Sequence, residues 1–309
     1  MTRPGARLAA AVGLGRSALA EGSLRCFFVS DLHGRVERYR KLFERVAAER
    51  PRLVLLGGDL LPMHADRGWS RAAGGTDFLG GFMAAELRAL ASRLGACYPR
   101  LLVILGNDDL RFQEASVLAL AAEGLWTYAH ARRVLVDGVP VYGYAFVPPS
   151  PFLNKDWERY DVSRYVDPGC VSPEEGVRSV PVAEAEARYA TIRKDLEQLA
   201  ADHDLSGAVM LFHAPPYQTN LDRAALDGRV VDHVPVDVHV GSVAIRRFLE
   251  ARQPLLSLHG HIHESARLTG SWRDRLGRTH LLGAAHDGPE LSLVRFDTDD
   301  PAGAERELL

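Results

Sequence analysis

Five short runs of apolar and small residues in this 309-residue chain each stop on a carboxylate, an amide or a histidine, and that pattern restricts the folds open to it. Residues 26–30 lead into Asp31-Leu32-His33, residues 53–58 into Asp59, and residues 101–106 into Asn107. Residues 208–212 lead into His213, and residues 255–258 into His259-Gly260-His261-Ile262-His263. Such runs read as buried strands. In open α/β sheets, ligands bind beyond the carboxyl ends of the strands, so residues from 31 to 263 can converge there. That convergence requires a single domain.

The segments between the runs support strands linked by helical crossovers. Val36, Tyr39, Leu42, Phe43, Val46 and Ala47 recur at helical spacing until Pro51. Residues 77–94, closed by Gly95, and residues 111–123 read as two further helices. Strand, helix, strand, helix, strand predicts a parallel sheet. Two β runs, 134–136 and 139–146, then flank Asp137-Gly138, the signal for a tight hairpin and the start of a second sheet. Residues 182–203 read as one long amphipathic helix and 243–251 as a shorter one, with late strands at 267–268, 280–282 and 291–296.

Residues 147–180, rich in proline and aromatics, form a long connection that is either a surface excursion packed by its own rings or a substrate-side lid. Residues 1–24 are expected to be a flexible extension; their apolar stretch resembles a signal peptide but is short and interrupted by Arg16. The domain is expected over 25–298, with 299–309 a fraying polar tail.

A net charge of −3 and a pI near 6.5 argue against a global basic field of the kind that drives non-specific nucleic-acid binding. No stretch reaches the roughly 18 apolar residues a membrane span needs. Cys26, Cys97 and Cys170 are odd in number and widely spaced, which fits a reducing cytoplasm better than a disulfide framework.

The strand-tip residues make a coherent donor set. Asp31 and His33, two residues apart, share a side if the chain is still extended there. Asp59 follows Gly57 and Gly58, which allow close backbone approach, and can set a carboxylate between two ions. Asn107 adds a neutral oxygen, and His213, His261 and His263 add nitrogens. Mixed oxygen and nitrogen donors suit Mn, Fe, Co, Ni or Zn better than Ca or Mg. Two such ions, roughly 3.5–4 Å apart, can generate a hydroxide at neutral pH and clamp a phosphoryl group during in-line displacement.

The ordered motifs Asp31-Leu32-His33, Gly58-Asp59, Gly106-Asn107-Asp108-Asp109, His213 and Gly260-His261-Ile262-His263 resemble those of the calcineurin-like metallophosphoesterase superfamily. The wording around residues 28–34 and 258–265 is most similar to bacterial and archaeal predicted phosphoesterases related to cyclic-AMP phosphodiesterase. The resemblance implies an α/β fold, a four-layer αββα sandwich of two mixed sheets flanked by helices. It also implies two divalent metal ions, manganese favoured. Asp31, His33, Asp59 and His263 would hold the first and Asp59, Asn107, His213 and His261 the second, Asp59 bridging.

The family's Asn-His-Asp reads Asn107-Asp108-Asp109 here, so the histidine that contacts phosphate and protonates the leaving group is missing. The Asn-Pro-Gly that often follows the last strand pair is also missing, Gly283-Ala284-Ala285-His286 lying near that place. A charged Asp108 would repel a monoester dianion more than a diester monoanion. The expectation is a phosphodiesterase with a metal-bound hydroxide nucleophile, acting on a small-molecule or nucleotide-like diester. The rival is a catalytically weak or inactive metal-binding scaffold, and a nuclease is disfavoured by the absence of a basic tract.

Asn107, Asp108 and His259 are the candidate catalytic residues. Asp108 could instead cap a helix, and His259 could instead support the ligands by a hydrogen bond. His233 and His239, then His130 and His286, are candidates for the missing acid, each more readily an ordinary packed or surface histidine. His64, Tyr217, Asn220, Trp157 and Arg159 could reach substrate, with packing or surface roles as their plainer readings.

Overall fold

Each apolar run is a strand in the computed structural model, which describes residues 24–62 and 77–309. The extension up to residue 23 and His64 lie outside the described residues. In the first sheet β1 (Arg25–Val29), β2 (Leu53–Gly57), β3 (Arg100–Ile104) and β4 (Thr127–Tyr128) run parallel, with Phe28 beside Leu55 and Leu55 beside Leu102. β2 is buried along its whole length, which is why it reads as a continuous apolar run without alternation. The crossovers include α1 (Val36–Glu49), which buries Tyr39, Leu42, Phe43, Val46 and Ala47, then α2 (Ala84–Leu94) and α3 (Glu114–Ala122). A wider helical turn, Phe78–Met83, precedes α2, and Asp77 caps it by accepting the Gly80 N–H at 2.9 Å.

The second sheet begins with the hairpin of β5 (Arg132–Val136) and β6 (Val139–Tyr144). Asp137 and Gly138 both take positive φ at its turn, 48° and 87°. Next come β7 (Val209–Phe212), a small ribbon of β8 (Val230–Val231) and β9 (Val234–Pro235), then β10 (Leu256–His259), β11 (Arg273–Leu276) and β12 (Thr279–Gly283). Its order is β11-β12-β10-β7-β6-β5. With β13 (Ser292–Asp297) and β14 (Glu305–Leu308), the first sheet is ordered β14-β13-β1-β2-β3-β4. β2 packs against β7 and β3 against β6, so two mixed six-stranded sheets lie face to face between helices. This is the expected αββα sandwich.

Several local expectations are corrected. Residues 182–203 form two helices, α4 (Glu184–Tyr189) and α5 (Ile192–Ala200), because Ala190 and Thr191 are extended between them. There Ile192 N–H donates to Tyr160 O at 2.8 Å, and the Thr191 hydroxyl caps the second helix. After α6 (Val243–Arg252), residues 267–268 fall inside α7 (Ser265–Thr269) and not in a strand. The C-terminal residues do not fray: β14 pairs with β13, and Glu307 meets Arg45 and Arg295. A polar sequence suits this edge strand, whose side chains are exposed or half-buried. Leu24 is buried and belongs to the core.

The 147–180 excursion is anchored. Trp157 is fully buried against Phe146 and His130, and Lys155 and Glu158 form a buried ion pair. Arg159 pairs with Asp195 and Glu186 over the Phe146 ring, which leaves its guanidinium committed to the scaffold.

Candidate metal centre

Main-chain bonding draws the first three strand tips together. Asp31, His33 and Gly34 donate N–H groups to Gly58, Asp59 and Leu60 carbonyls at 3.0, 2.8 and 2.8 Å. Asp109, fully buried, accepts from Leu60 N at 2.9 Å, Leu61 N at 2.7 Å and Gly106 N at 2.9 Å, tying the second tip to the third. Asp108 N donates to Asp59 Oδ1 at 2.8 Å. Asp31, His33, Asp59 and His261 all sit at positive φ (58°, 47°, 52° and 76°). That conformation costs roughly 1–2 kcal/mol per non-glycine residue, which the surrounding bonds offset. At Gly106 a Cβ would stand 2.3 Å from Asp59 Oδ1 and 2.6 Å from His213 Nε2, so only glycine permits this approach.

The side chains form two donor groups. Ligand atoms of Asp31, His33, Asp59 and His263 all lie within 4.8 Å of one another, as do those of Asp59, His213 and His261. Asp59 belongs to both. Asn107 Oδ1 lies 3.1 Å from His213 Nε2, which adds an oxygen to the second group. His213 Nδ1 stands 2.8 Å from the Gly57 carbonyl; donating there leaves Nε2 as the atom turned to Asp59 Oδ2, 3.2 Å away. His33 and His263 face each other through their Nε2 atoms at 3.1 Å. Two lone pairs cannot sit so close without a proton or cation between them. His33 Nδ1 is buried without a hydrogen bond, 3.7 Å from Asp108 Oδ2. The spacing, the glycine cradle and the mixed donors fit a pair of divalent cations.

Without cations the cluster is electrostatically tense. Burial alone would lower the His213 imidazolium, but the Asp59 carboxylate outweighs it and holds the group up at about 10. His261 is pushed down to about 3 by burial and by the charge on His213. Asp108 is pushed up to about 7 by burial and then by Asp59.

The other candidates are dispersed. His259 is fully buried, its Nδ1 2.9 Å from the Ala214 carbonyl, so it braces the His213 loop from within the core. This placement favours its supporting reading over phosphate contact. His130 Nδ1 accepts the Ala145 N–H, His239 meets Asp222, and His286 meets Glu290. His233 is exposed at the turn of the β8–β9 ribbon. Tyr217 donates to Asp237, while Asn220 bonds Asp274 and Arg273.

Sequence reading missed three supports: Asp109 as the clamp between tips, Asn154, whose amide donates to the Asn107 carbonyl at 3.0 Å, and Arg38 behind Asp31. Arg38 had left a signal, a charge on the apolar face of α1. Asn154 had none, because its partner is 47 residues away.

A family model of calcineurin-like phosphoesterases matches residues 24–265. No curated protein sequence matches the chain. Among solved structures, one superposes with a TM-score of 0.56 at 15% identity, covering 93% of this chain and 99% of the other. The protein TT1561 of Thermus thermophilus superposes with a TM-score of 0.51 at 19% identity, covering 92% and 98%. At such identities the likeness is one of fold.

Proposed function

The chain belongs to the calcineurin-like phosphoesterase family, and from that premise we propose that it is a dinuclear metal-dependent phosphodiesterase. The observation that carries this reading is the pair of donor groups sharing Asp59. Asp31, His33, Asp59 and His263 would hold one divalent cation, and Asp59, Asn107, His213 and His261 the other. Manganese is favoured among Mn, Fe, Zn, Ni and Co, all of which suit mixed oxygen and nitrogen donors. Bound there, the pair would supply an activated water and polarise the phosphoryl oxygens.

The chain's own contribution to specificity is Asp108. Its side chain is 32% exposed, with Oδ2 3.7 Å from His33 Nδ1, and its main-chain N–H donates to the Asp59 carboxylate. Cations nearby favour its charged form, and a carboxylate in that position repels a dianionic monoester more than a monoanionic diester. It is also a poor proton donor, so leaving groups that need no protonation are preferred; general-acid assistance is typically worth about 10²–10⁴-fold. The substrate is accordingly a small or nucleotide-like diester. The three cysteines are all free, which supports a reducing cytoplasmic setting, and no described helix is long and apolar enough to cross a membrane.

The test is metal analysis of the purified chain, with hydrolysis of bis(p-nitrophenyl) phosphate and p-nitrophenyl phosphate under each divalent metal. Two equivalents of metal and preferential diester turnover are expected. No diester turnover with any metal would refute the enzyme, and a monoester preference would refute the role given to Asp108.

A further inference from the structure

Resting on that reading, we propose that Asp108 is a positioning carboxylate for both cation sites, holding the Asn107 amide with one oxygen and the His33 ring with the other. Asp108 itself belongs to neither donor group. Each of its oxygens is next to a ligand of a different one. Oδ1 accepts the Asn107 Nδ2–H at 3.2 Å, and Oδ2 stands 3.7 Å from His33 Nδ1.

An amide can present either its oxygen or its nitrogen, and only the oxygen has lone pairs to offer a cation. With its nitrogen held by Asp108, Asn107 turns Oδ1 towards the second group, 3.1 Å from His213 Nε2. Asn154 holds the same residue at its main-chain carbonyl. His33 poses the equivalent question for a proton. Its Nε2 is 3.1 Å from His263 Nε2, which in turn is 3.3 Å from Asp31 Oδ1, so Nε2 is the ring atom within the first group. A neutral imidazole that binds through Nε2 carries its proton on Nδ1. That Nδ1 is buried with no hydrogen-bond partner, and among the described residues Asp108 is the only acid paired with His33. The 3.7 Å gap exceeds an ordinary N–H···O bond by roughly 0.8 Å, which a small turn of the partly exposed Asp108 side chain closes. Ligation through Nε2 favours that closure, because a buried N–H left without an acceptor is costly. Carboxylates in this position orient metal-binding imidazoles, and losing one typically lowers metal affinity about 10–100-fold.

The full chain, stripped with a chelator and titrated with Mn(II) and with Zn(II) by calorimetry, tests this through its two stepwise affinities. Asp108→Ala removes both acceptor oxygens and should weaken both steps by about 10–100-fold. Asp108→Asn can accept from only one of the two donors, so one step should weaken while the other holds, and this variant decides the matter if the alanine variant does not fold. In the Zn(II)-loaded chain, proton–nitrogen imidazole spectra should show His33 protonated at Nδ1, with that signal moved by Asp108→Ala. The His213 Nδ1–H, donated to the Gly57 carbonyl, is the control and should stay in place. Wild-type affinities in either variant, a loss at one step only in Asp108→Ala, or a His33 signal that ignores the alanine overturns the proposal. A wild-type chain that does not take up two ions refutes the dinuclear reading and this proposal with it, whereas a failure confined to the variants overturns the proposal alone.

Discussion

The Arg38 guanidinium donates to the main-chain carbonyl of Asp31 at 2.6 Å, from a side chain only 4% exposed. Its other donors reach Gly288 O at 2.5 Å and Pro289 O at 3.4 Å, so α1 fastens the first strand tip to the loop before β13. Its partners here are main-chain carbonyls. A buried charge held by carbonyls is costly unless it fixes something, and what it fixes here is the left-handed backbone that aims Asp31.

Arg38→Met should therefore destabilise the fold by about 2–4 kcal/mol, because Asp31 O loses its charged donor. Urea unfolding measures this. Metal stoichiometry should fall as well, while Arg38→Lys should recover part of both.

Asp59→Asn should leave the chain folded but lower metal affinity and diester turnover by more than about 100-fold, since the shared carboxylate belongs to both donor groups. Metal analysis after gel filtration, paired with circular dichroism, separates this from unfolding. Undiminished binding of two ions would refute the bridging role.

Asp108→His should raise monoester hydrolysis relative to diester hydrolysis by up to about 100-fold, by supplying a proton donor and removing a negative charge. The kcat/KM ratio for the two chromogenic esters reports it. An unchanged ratio would show that Asp108 does not set the preference.

Asp109→Asn should cost about 2–5 kcal/mol, because an amide cannot accept the Leu60, Leu61 and Gly106 N–H groups as a carboxylate does. Thermal unfolding of the variant checks this, and a loss under about 1 kcal/mol, little more than an ordinary surface change, would contradict the clamp.

His130 is packed among Tyr144, Phe146 and Trp157, and burial pushes it down to about 3. Its folded pKa lies below the unfolded value of about 6.5, so between those limits the unfolded chain binds a proton that the folded chain does not. Stability from this group is full above pH about 6.5 and is lost as pH falls toward 3, at no more than about 1.4 kcal/mol per pH unit. Chelator-treated His130→Asn, which keeps an acceptor for Ala145 N, should show a shallower acid limb in urea midpoints.

What the chain's residue order determines is the set of strand tips. Apolar runs that end on Asp31, Asp59, Asn107, His213 and the His261–His263 pair announce buried parallel strands and a donor set, because both signals are local: burial writes itself into a run, and a tip into the residue that follows. The break at Ala190 and the C-terminal strand were not legible, since Tyr160 and β13 supply the competing partners from far away in the chain. The division of the donors, with Asp59 in both groups, followed from the motif resemblance and recurs in the packed side chains, whereas only the tertiary structure decided which polar residues serve as supports. Asp108, Asp109 and Asn154 are all polar residues in loops, and nothing local distinguishes the carboxylate that faces the site from the one that clamps two loops, or from the amide that braces Asn107. Those roles arise from the direction of each side chain after two sheets have packed face to face, a fact of three-dimensional approach that spacing along the chain does not encode.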